Sequence, residues 1–527
     1  MPVPARRPLV TAVLLVASLA LAGCTFAAPA EPTQSAGPAV PDDIRAIMDG
    51  ASYPHARWGL AVEDLETGER LVDLGSDEFF PPGSTTKVFT VTPTYETLGG
   101  DHRFVTPVYA TAPVSGGAVS GDLVLVAQGD VFFGARRAGA DELSFTDFDH
   151  MEANSFPGLA GLVPEDPLAG IDDLADQIVA SGVTSVSGEV IIDDRLFPAG
   201  QELSGIRLDP MYINENVIDI TLTAGADGAA AEFDWRPKVS TLQVTSTVTT
   251  GAADSAPQIA ISEQGGAVTV SGSIPAGGVP IVQVAEIEDP SSFARTALIE
   301  ALRERGVTVA ADPAASNPSD RLPADTTYAG AARVAAHESA PFREYAKVIW
   351  KVSHNRGADN DMCLLAIAEG STRCGAGLAA VAEHLEKIGV DGTGVSFADG
   401  RGGEPADLTT PDAALELLRA ISTRDDFDTL KNALPILGVD GSIATDNTGT
   451  GAAGHVYAKT GTVAGGDLTT GDLTVIAETL IGYIDAKSGR KLAFALYVNN
   501  LKLPKIDDLF SVFDDENKIA GLLYERY

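Results

Sequence analysis

Positive charge is scarce in this chain. Its 36 lysines and arginines face 73 aspartates and glutamates, and the formal net charge is −37. No basic field exists to attract phosphates, which excludes nucleic acid as a partner. Metal-binding patterns are missing too. The seven histidines form no His-Glu-x-x-His, and the three cysteines no Cys-x-x-Cys, so neither a metal nor another cofactor is expected. After the first 23 residues no apolar run is long enough to span a bilayer. Disorder is excluded by the opposite observation: hydrophobic residues make up 45% of the chain, enough for real cores. A length of 527 residues allows two to four domains.

What is present begins with a targeting segment. Arg6 and Arg7 precede an apolar stretch, Leu9 to Ala22, that is short for a membrane span. It ends in Leu21-Ala22-Gly23-Cys24, which resembles a bacterial lipobox. That resemblance implies cleavage before Cys24 and a lipid on its thiol; a plain secretory signal with an incidental cysteine is the alternative. Residues 1–23 are then a signal peptide and 24–40, rich in Ala, Pro and Ser, a flexible tether. The expected mature protein is exported and lipid-anchored to a bacterial membrane. In an oxidising compartment Cys363 and Cys374, flanking the turn-like Glu369-Gly370-Ser371-Thr372, fit a disulfide; two buried free thiols fit as well.

Hydrophobic patterning divides the rest. Trp58 to Leu65 and Arg70 to Asp73 read as a hairpin around Glu66-Thr67-Gly68-Glu69. Between Asp101 and Thr326 short Val/Ile/Thr runs alternate with Gly and Asp turns, interrupted by helices near Ile171–Ser181 and Ser291–Arg305. Each of those helices ends in Gly-Val-Thr, at Gly182 and Gly306, which suggests related halves of one α/β piece. Phe132 to Pro167 has no clear period and reads as a long loop. Helical character returns after Thr327, over Ala340–Lys351, Met362–Ala368 and Gly377–Ile388. Strands follow around Tyr457–Thr462, Glu478–Ile484 and Leu492–Val498, then a final amphipathic helix. This order fits an α/β (α+β) multidomain chain whose main sheet draws strands from both chain ends, with helices on both faces and an insertion between. The expected division is 41–100 with 327–527, an inserted α/β domain at 101–205 with 285–326, and an inner β domain at 206–284.

Three short motifs carry the chemistry. Pro81-Pro82-Gly83 stops the preceding chain, and Ser84-Thr85-Thr86-Lys87 opens a helix. Ser84 and Lys87 then lie three residues apart on one face. A buried lysine there would have a lowered pKa and could take the hydroxyl proton. Ser488-Gly489-Arg490-Lys491 has the same pattern but sits between strands and reads as a hairpin turn. Ser353-His354-Asn355 is the only Ser-x-Asn in the chain and Lys459-Thr460-Gly461 the only Lys-Thr-Gly. Ser-x-x-Lys, Ser-x-Asn and Lys-Thr-Gly in this order are the motifs that penicillin-recognising serine enzymes set around one cleft.

With these motifs the chain resembles the D-alanyl-D-alanine carboxypeptidases/endopeptidases of the low-molecular-mass class C penicillin-binding proteins. The long gap between Lys87 and Ser353 is similar to that family, as are Gly121-Asp122-Leu123, Asp399-Gly400-Arg401-Gly402 and Gly438-Val439-Asp440-Gly441-Ser442. Gly83 stands where alanine or another small residue is usual, and His354 where aspartate is common. The resemblance implies a penicillin-recognising transpeptidase-like domain, an antiparallel sheet between helices, interrupted by two β-rich inserted domains. It implies peptidoglycan stem peptides ending in D-Ala-D-Ala as substrates and β-lactams as inhibitors. In that reading Ser84 is the nucleophile and Lys87 its base, Ser353 relays the proton, and Asn355 holds the substrate amide and the Lys87 amine. Lys459 and Thr460 bind the terminal carboxylate beside Gly461, and the N–H groups of Ser84 and Thr462 form the oxyanion hole. Read singly, Ser353 could cap the following helix, Lys459 could be a solvated edge-strand lysine, Asp399 and Asp440 are turn residues, and His354 is structural. A β-lactamase or esterase of the same fold, or a non-catalytic cell-wall scaffold, are the alternative functions.

Overall fold

The run Leu492-Ala493-Phe494-Ala495-Leu496-Tyr497-Val498 is too continuously apolar for a strand with one wet face, and all seven residues are buried. It occupies the middle of a five-stranded antiparallel sheet. The strand order is Arg70–Leu74, Arg57–Asp64, Lys491–Leu503, Leu473–Asp485 and Val456–Gly466, with the last at an edge. Side chains sort by the two-residue period of a strand. Ala493, Ala495 and Tyr497 join a core with Phe89, Trp350 and Leu417. Leu492, Phe494 and Leu496 join another with Ile44, Ile519 and Leu523 of the first and last helices. The computed structural model describes residues 37–445, 448–505 and 508–527, and from Gly37 onward they form one compact unit. Cys24 and the rest of the proposed leader and tether up to residue 36 lie outside the described residues.

The helix Thr86–Leu98 runs through Pro93 as one element and ends at Gly99, whose φ of 90° suits only glycine. It is packed among Phe342–Lys351, Asn355–Ala368 and Gly377–Lys387. Ser488 to Lys491 forms the hairpin turn expected, with Gly489 at φ 97° between two strands of the sheet.

The inserted region builds its own core. One sheet has the order Val190–Asp193, Leu123–Val126, Val105–Ala110 and Ala332–Glu338. The helices Ala169–Ala180 and Pro290–Glu304 lead through the two Gly-Val-Thr turns into Ser185–Val186 and Thr308–Val309, which pair in parallel. The two helix–turn–strand pieces thus meet along one sheet. Two expectations need correction. The expected boundary at 327 groups residues 332–338 with 41–100, but Ala332–Glu338 is a strand that pairs with Val105–Ala110 in the inserted sheet, where Val334 and Ala335 enter that core. The segment from Phe132 to Pro167 is not a featureless loop. It holds a small hairpin, Arg137–Gly139 with Glu142–Leu143, and a short 3-10 turn, His150–Glu152. Its missing period reflects anchoring by single polar and aromatic contacts rather than by an amphipathic face.

Candidate active site

Ser84 sits in a 3-10 turn, Gly83–Thr85, that leads directly into the helix carrying Lys87. The turn is pinned from both sides. Pro82 O accepts hydrogen bonds from Thr85 Oγ1 and Thr479 Oγ1, each at 2.7 Å. Gly83 has φ 53°, and a Cβ on it would lie 2.9 Å from the carbonyl carbon of Gly461, so the departure from alanine follows from contact with the edge strand. Gly461 is equally constrained: a Cβ there would come within 2.4 Å of Pro82 O and 2.9 Å of Ser84 N. The edge strand therefore lies directly against the Ser84 amide, and Thr462 N lies 3.0 Å from where a Cβ on Gly83 would sit.

The first motif meets the second at the amine of Lys87. Its Nζ lies 2.6 Å from Ser84 Oγ, 2.8 Å from Asn355 Oδ1, 3.4 Å from Ser353 Oγ and 3.4 Å from the carbonyl oxygen of Arg401. The third motif meets the second at Ser353: Lys459 Nζ is 2.9 Å from Ser353 Oγ and donates to its neighbour's carbonyl, Thr460 O, at 2.7 Å. Residues up to 375 positions apart in the chain are thus joined through one serine hydroxyl. Thr460 Oγ1 is 2.8 Å from Ser442 Oγ, and Thr462 Oγ1 donates to Glu478 Oε1 at 3.1 Å.

Ser353 has φ 60°, a left-handed conformation that is rare for a residue with a Cβ and clusters at functional sites. It does not cap the following helix. That role falls to His354, whose Nδ1 accepts from Gly357 N–H at 2.8 Å. Asp399 accepts from the backbone N–H of Arg401 and Gly402, at 3.0 and 2.6 Å, and so shapes the turn that presents the Arg401 carbonyl to Lys87. Asp440 accepts from Lys351 Nζ at 2.5 Å. Cys363, on the second-motif helix, is bonded to Cys374.

Burial sets the electrostatics. Neither Lys87 nor Lys459 has exposed surface. Desolvation lowers the Lys87 pKa to about 7, against the opposing pull of Glu152 and Asp359. Lys459 is lowered well below its usual value, first by burial and then by the charge of Lys87. Burial raises Asp359 to about 7 and raises Glu152 above the usual carboxylate range. Several participants carried no sequence signal. Glu152, from the segment read as a loop, accepts from Asn355 Nδ2 at 3.0 Å and so fixes that amide with its oxygen toward Lys87. Trp350 Nε1 donates to the Lys87 carbonyl at 3.0 Å, and Glu478 backs Thr462 from the neighbouring strand. Ser442 and the Asp399–Gly402 turn lie in stretches that the sequence singles out.

Asp149, Glu215 and His354 each bring a potential ligand atom within 4.8 Å of the others. Their partners suit a charge network instead of an ion: Arg136 bonds both carboxylates and His354 Nδ1 is occupied by Gly357.

Such a sheet and cleft define a serine peptidase with the penicillin-binding fold. The chain belongs to the D-Ala-D-Ala carboxypeptidase 3 (S13) family, whose description matches residues 42–515. It is 30% identical over 521 residues to the D-alanyl-D-alanine carboxypeptidase of Actinomadura sp. (strain R39), covering 94% of this chain and 85% of that protein. It is 21% identical over 467 residues to the D-alanyl-D-alanine carboxypeptidase DacB of Haemophilus influenzae, covering 84% of this chain and 85% of that protein. The crystal structure of penicillin binding protein 4 from Haemophilus influenzae superposes with a TM-score of 0.68 at 19% identity, covering 92% of this chain and 99% of that one. The same protein complexed with a β-lactam gives 0.67. At that identity the likeness carries the fold. Among the described residues no helix is long and apolar enough to cross a membrane.

Proposed function

We propose that this chain is a serine-type D-Ala-D-Ala carboxypeptidase that acts on peptidoglycan stem peptides through an acyl-enzyme on Ser84. The observation that carries the reading is Lys87 Nζ placed 2.6 Å from Ser84 Oγ with its pKa brought to about 7. Neutral Lys87 takes the hydroxyl proton as Ser84 attacks the carbonyl between two D-alanines. The oxyanion that forms is met by the N–H groups of Ser84 and Thr462. Ser353, between the two lysine amines, passes a proton to the leaving D-alanine amine. The second Asn355 N–H is free to hold the substrate amide while the first is held by Glu152.

Lys459, Thr460 and Thr462 supply the carboxylate subsite beside Gly461. Two buried lysines face one serine, and the charge of Lys87 adds to burial in lowering the pKa of Lys459. An arriving substrate carboxylate supplies the missing negative charge, so Lys459 binds it as an ammonium. A β-lactam offers a similar amide and carboxylate and acylates the same serine. Membrane attachment through a lipid on Cys24 places the enzyme outside the cytoplasm. Detergent-free fractionation tests the anchor: Cys24→Ser should release the protein from membranes, and retention there would refute it. For the reaction, incubation with a muropeptide ending in D-Ala-D-Ala should release one D-alanine per peptide, and the same peptide with a C-terminal amide should be spared. Equal turnover of acid and amide would refute the carboxylate subsite.

A further inference from the structure

His354 is the middle residue of the second motif, and the structure gives it a specific partner. Its Nδ1 accepts a backbone N–H, so Nδ1 carries no proton and the neutral ring bears its proton on Nε2. That Nε2–H donates to Glu215 Oε2 at 3.1 Å. Burial lowers the histidine pKa, which keeps this tautomer neutral. Glu215 comes from the inserted region. It lies in three successive left-handed residues, Asn214, Glu215 and Asn216, with φ of 50°, 56° and 63°. Such a run persists only where its surroundings hold it.

The holding groups are visible. Asn216 Oδ1 accepts from Ile213 N–H at 3.0 Å, and Asn214 Nδ2 donates to Val217 O at 2.9 Å. Arg136 donates to both Glu215 oxygens, at 2.6 and 2.8 Å. His150 bridges Glu215 and Asp219, one carboxylate on each ring nitrogen. Arg356, next to Asn355, donates to the Glu215 carbonyl and pairs with Glu286 at 2.7 and 2.8 Å. His354 and Arg356, on either side of Asn355, are therefore both tied to one residue of the insert. Ser353 itself is left-handed and exposes its hydroxyl to both lysines.

We infer that Glu215 is a positioning residue: through His354 it holds the strained Ser353-His354-Asn355 turn in register with Lys87 and Lys459, so that the inserted region sets the rate of acylation. The inference rests on the Ser84 acyl-enzyme reading. Labelling of the parent protein by a fluorescent penicillin tests that reading, whereas the ratio of variant to parent tests this one. His354→Asn keeps an acceptor for the Gly357 N–H but is too short for Glu215. Time-resolved labelling should show its limiting acylation rate lowered about tenfold or more, the penalty of a misplaced catalytic group. The dissociation constant of the initial complex and the thermal midpoint should stay close to the parent's. His354→Asp sets two carboxylates against each other and should be slower still. Adding Glu215→Gln to it supplies an amide N–H for the new aspartate and should recover part of the rate. A limiting rate for His354→Asn equal to the parent's, or a double variant no faster than His354→Asp, overturns the proposal.

Discussion

At neutral pH an exposed lysine is a cation and has no lone pair to offer a hydroxyl. Lys87 differs because the helix start buries it completely and the Asn355 oxygen and Arg401 carbonyl orient its amine toward Ser84. Desolvation then brings its pKa to about 7. The neutral form is the active one, so acylation of Ser84 by a β-lactam should rise with pH and level off above about 7. A rate flat from pH 5 to 8 would contradict this. Lys87→Ala should slow acylation by roughly 10²- to 10⁴-fold, the usual contribution of a general base. Much of this residue-level picture was legible beforehand, because Ser84, Lys87, Ser353, Asn355 and Lys459 belong to motifs whose spacing carries a mechanism. Glu152 and Glu215 were not. An isolated glutamate in an aperiodic segment has no local pattern, and its role arises only when distant chain segments meet.

The helix Asn355–Ala368 shows the same limit at the scale of an element. Sequence reading found its second half but missed its first turns, whose Arg356, Asp359, Asn360 and Asp361 break the apolar period of a surface helix. Arg356, Asp359 and Asn360 face partners rather than water. Asn360 meets Tyr212 Oη at 3.1 Å and donates to Gly129 O at 2.9 Å, and Asp359 accepts from Gly400 N–H at 2.8 Å. The helix is thus the element through which insert and catalytic body grip each other. Its later turns are fastened by Cys363–Cys374, which closes a short loop. Replacing both cysteines with serine should lower the unfolding free energy by about 2–4 kcal/mol. Denaturant titration of the two forms checks this, and coincident curves would show that the bond adds nothing to stability.

Across the whole molecule the sequence shows that the main sheet draws strands from both chain ends, but not the order in which its strands pair. The main sheet with strands from both chain ends follows from alternating and continuous apolar runs, as at Leu492 to Val498. The strand Ala332–Glu338 carries no mark in its sequence of which sheet it joins; only register with Val105–Ala110 decides that. The fold also explains why so large an excursion is tolerated between the first two motifs. Ser84 and Lys87 are fixed by the sheet edge at Gly461 and Thr479, while Ser353 and Asn355 are fixed partly from the insert side, at Glu152 and Glu215. The account therefore stands on one covalent event at the place where these supports meet. Intact-mass analysis and peptide mapping after exposure to benzylpenicillin measure it directly. One adduct should appear on the peptide containing Ser84 and be absent from Ser84→Ala; an unmodified parent, or an equally modified variant, would contradict it.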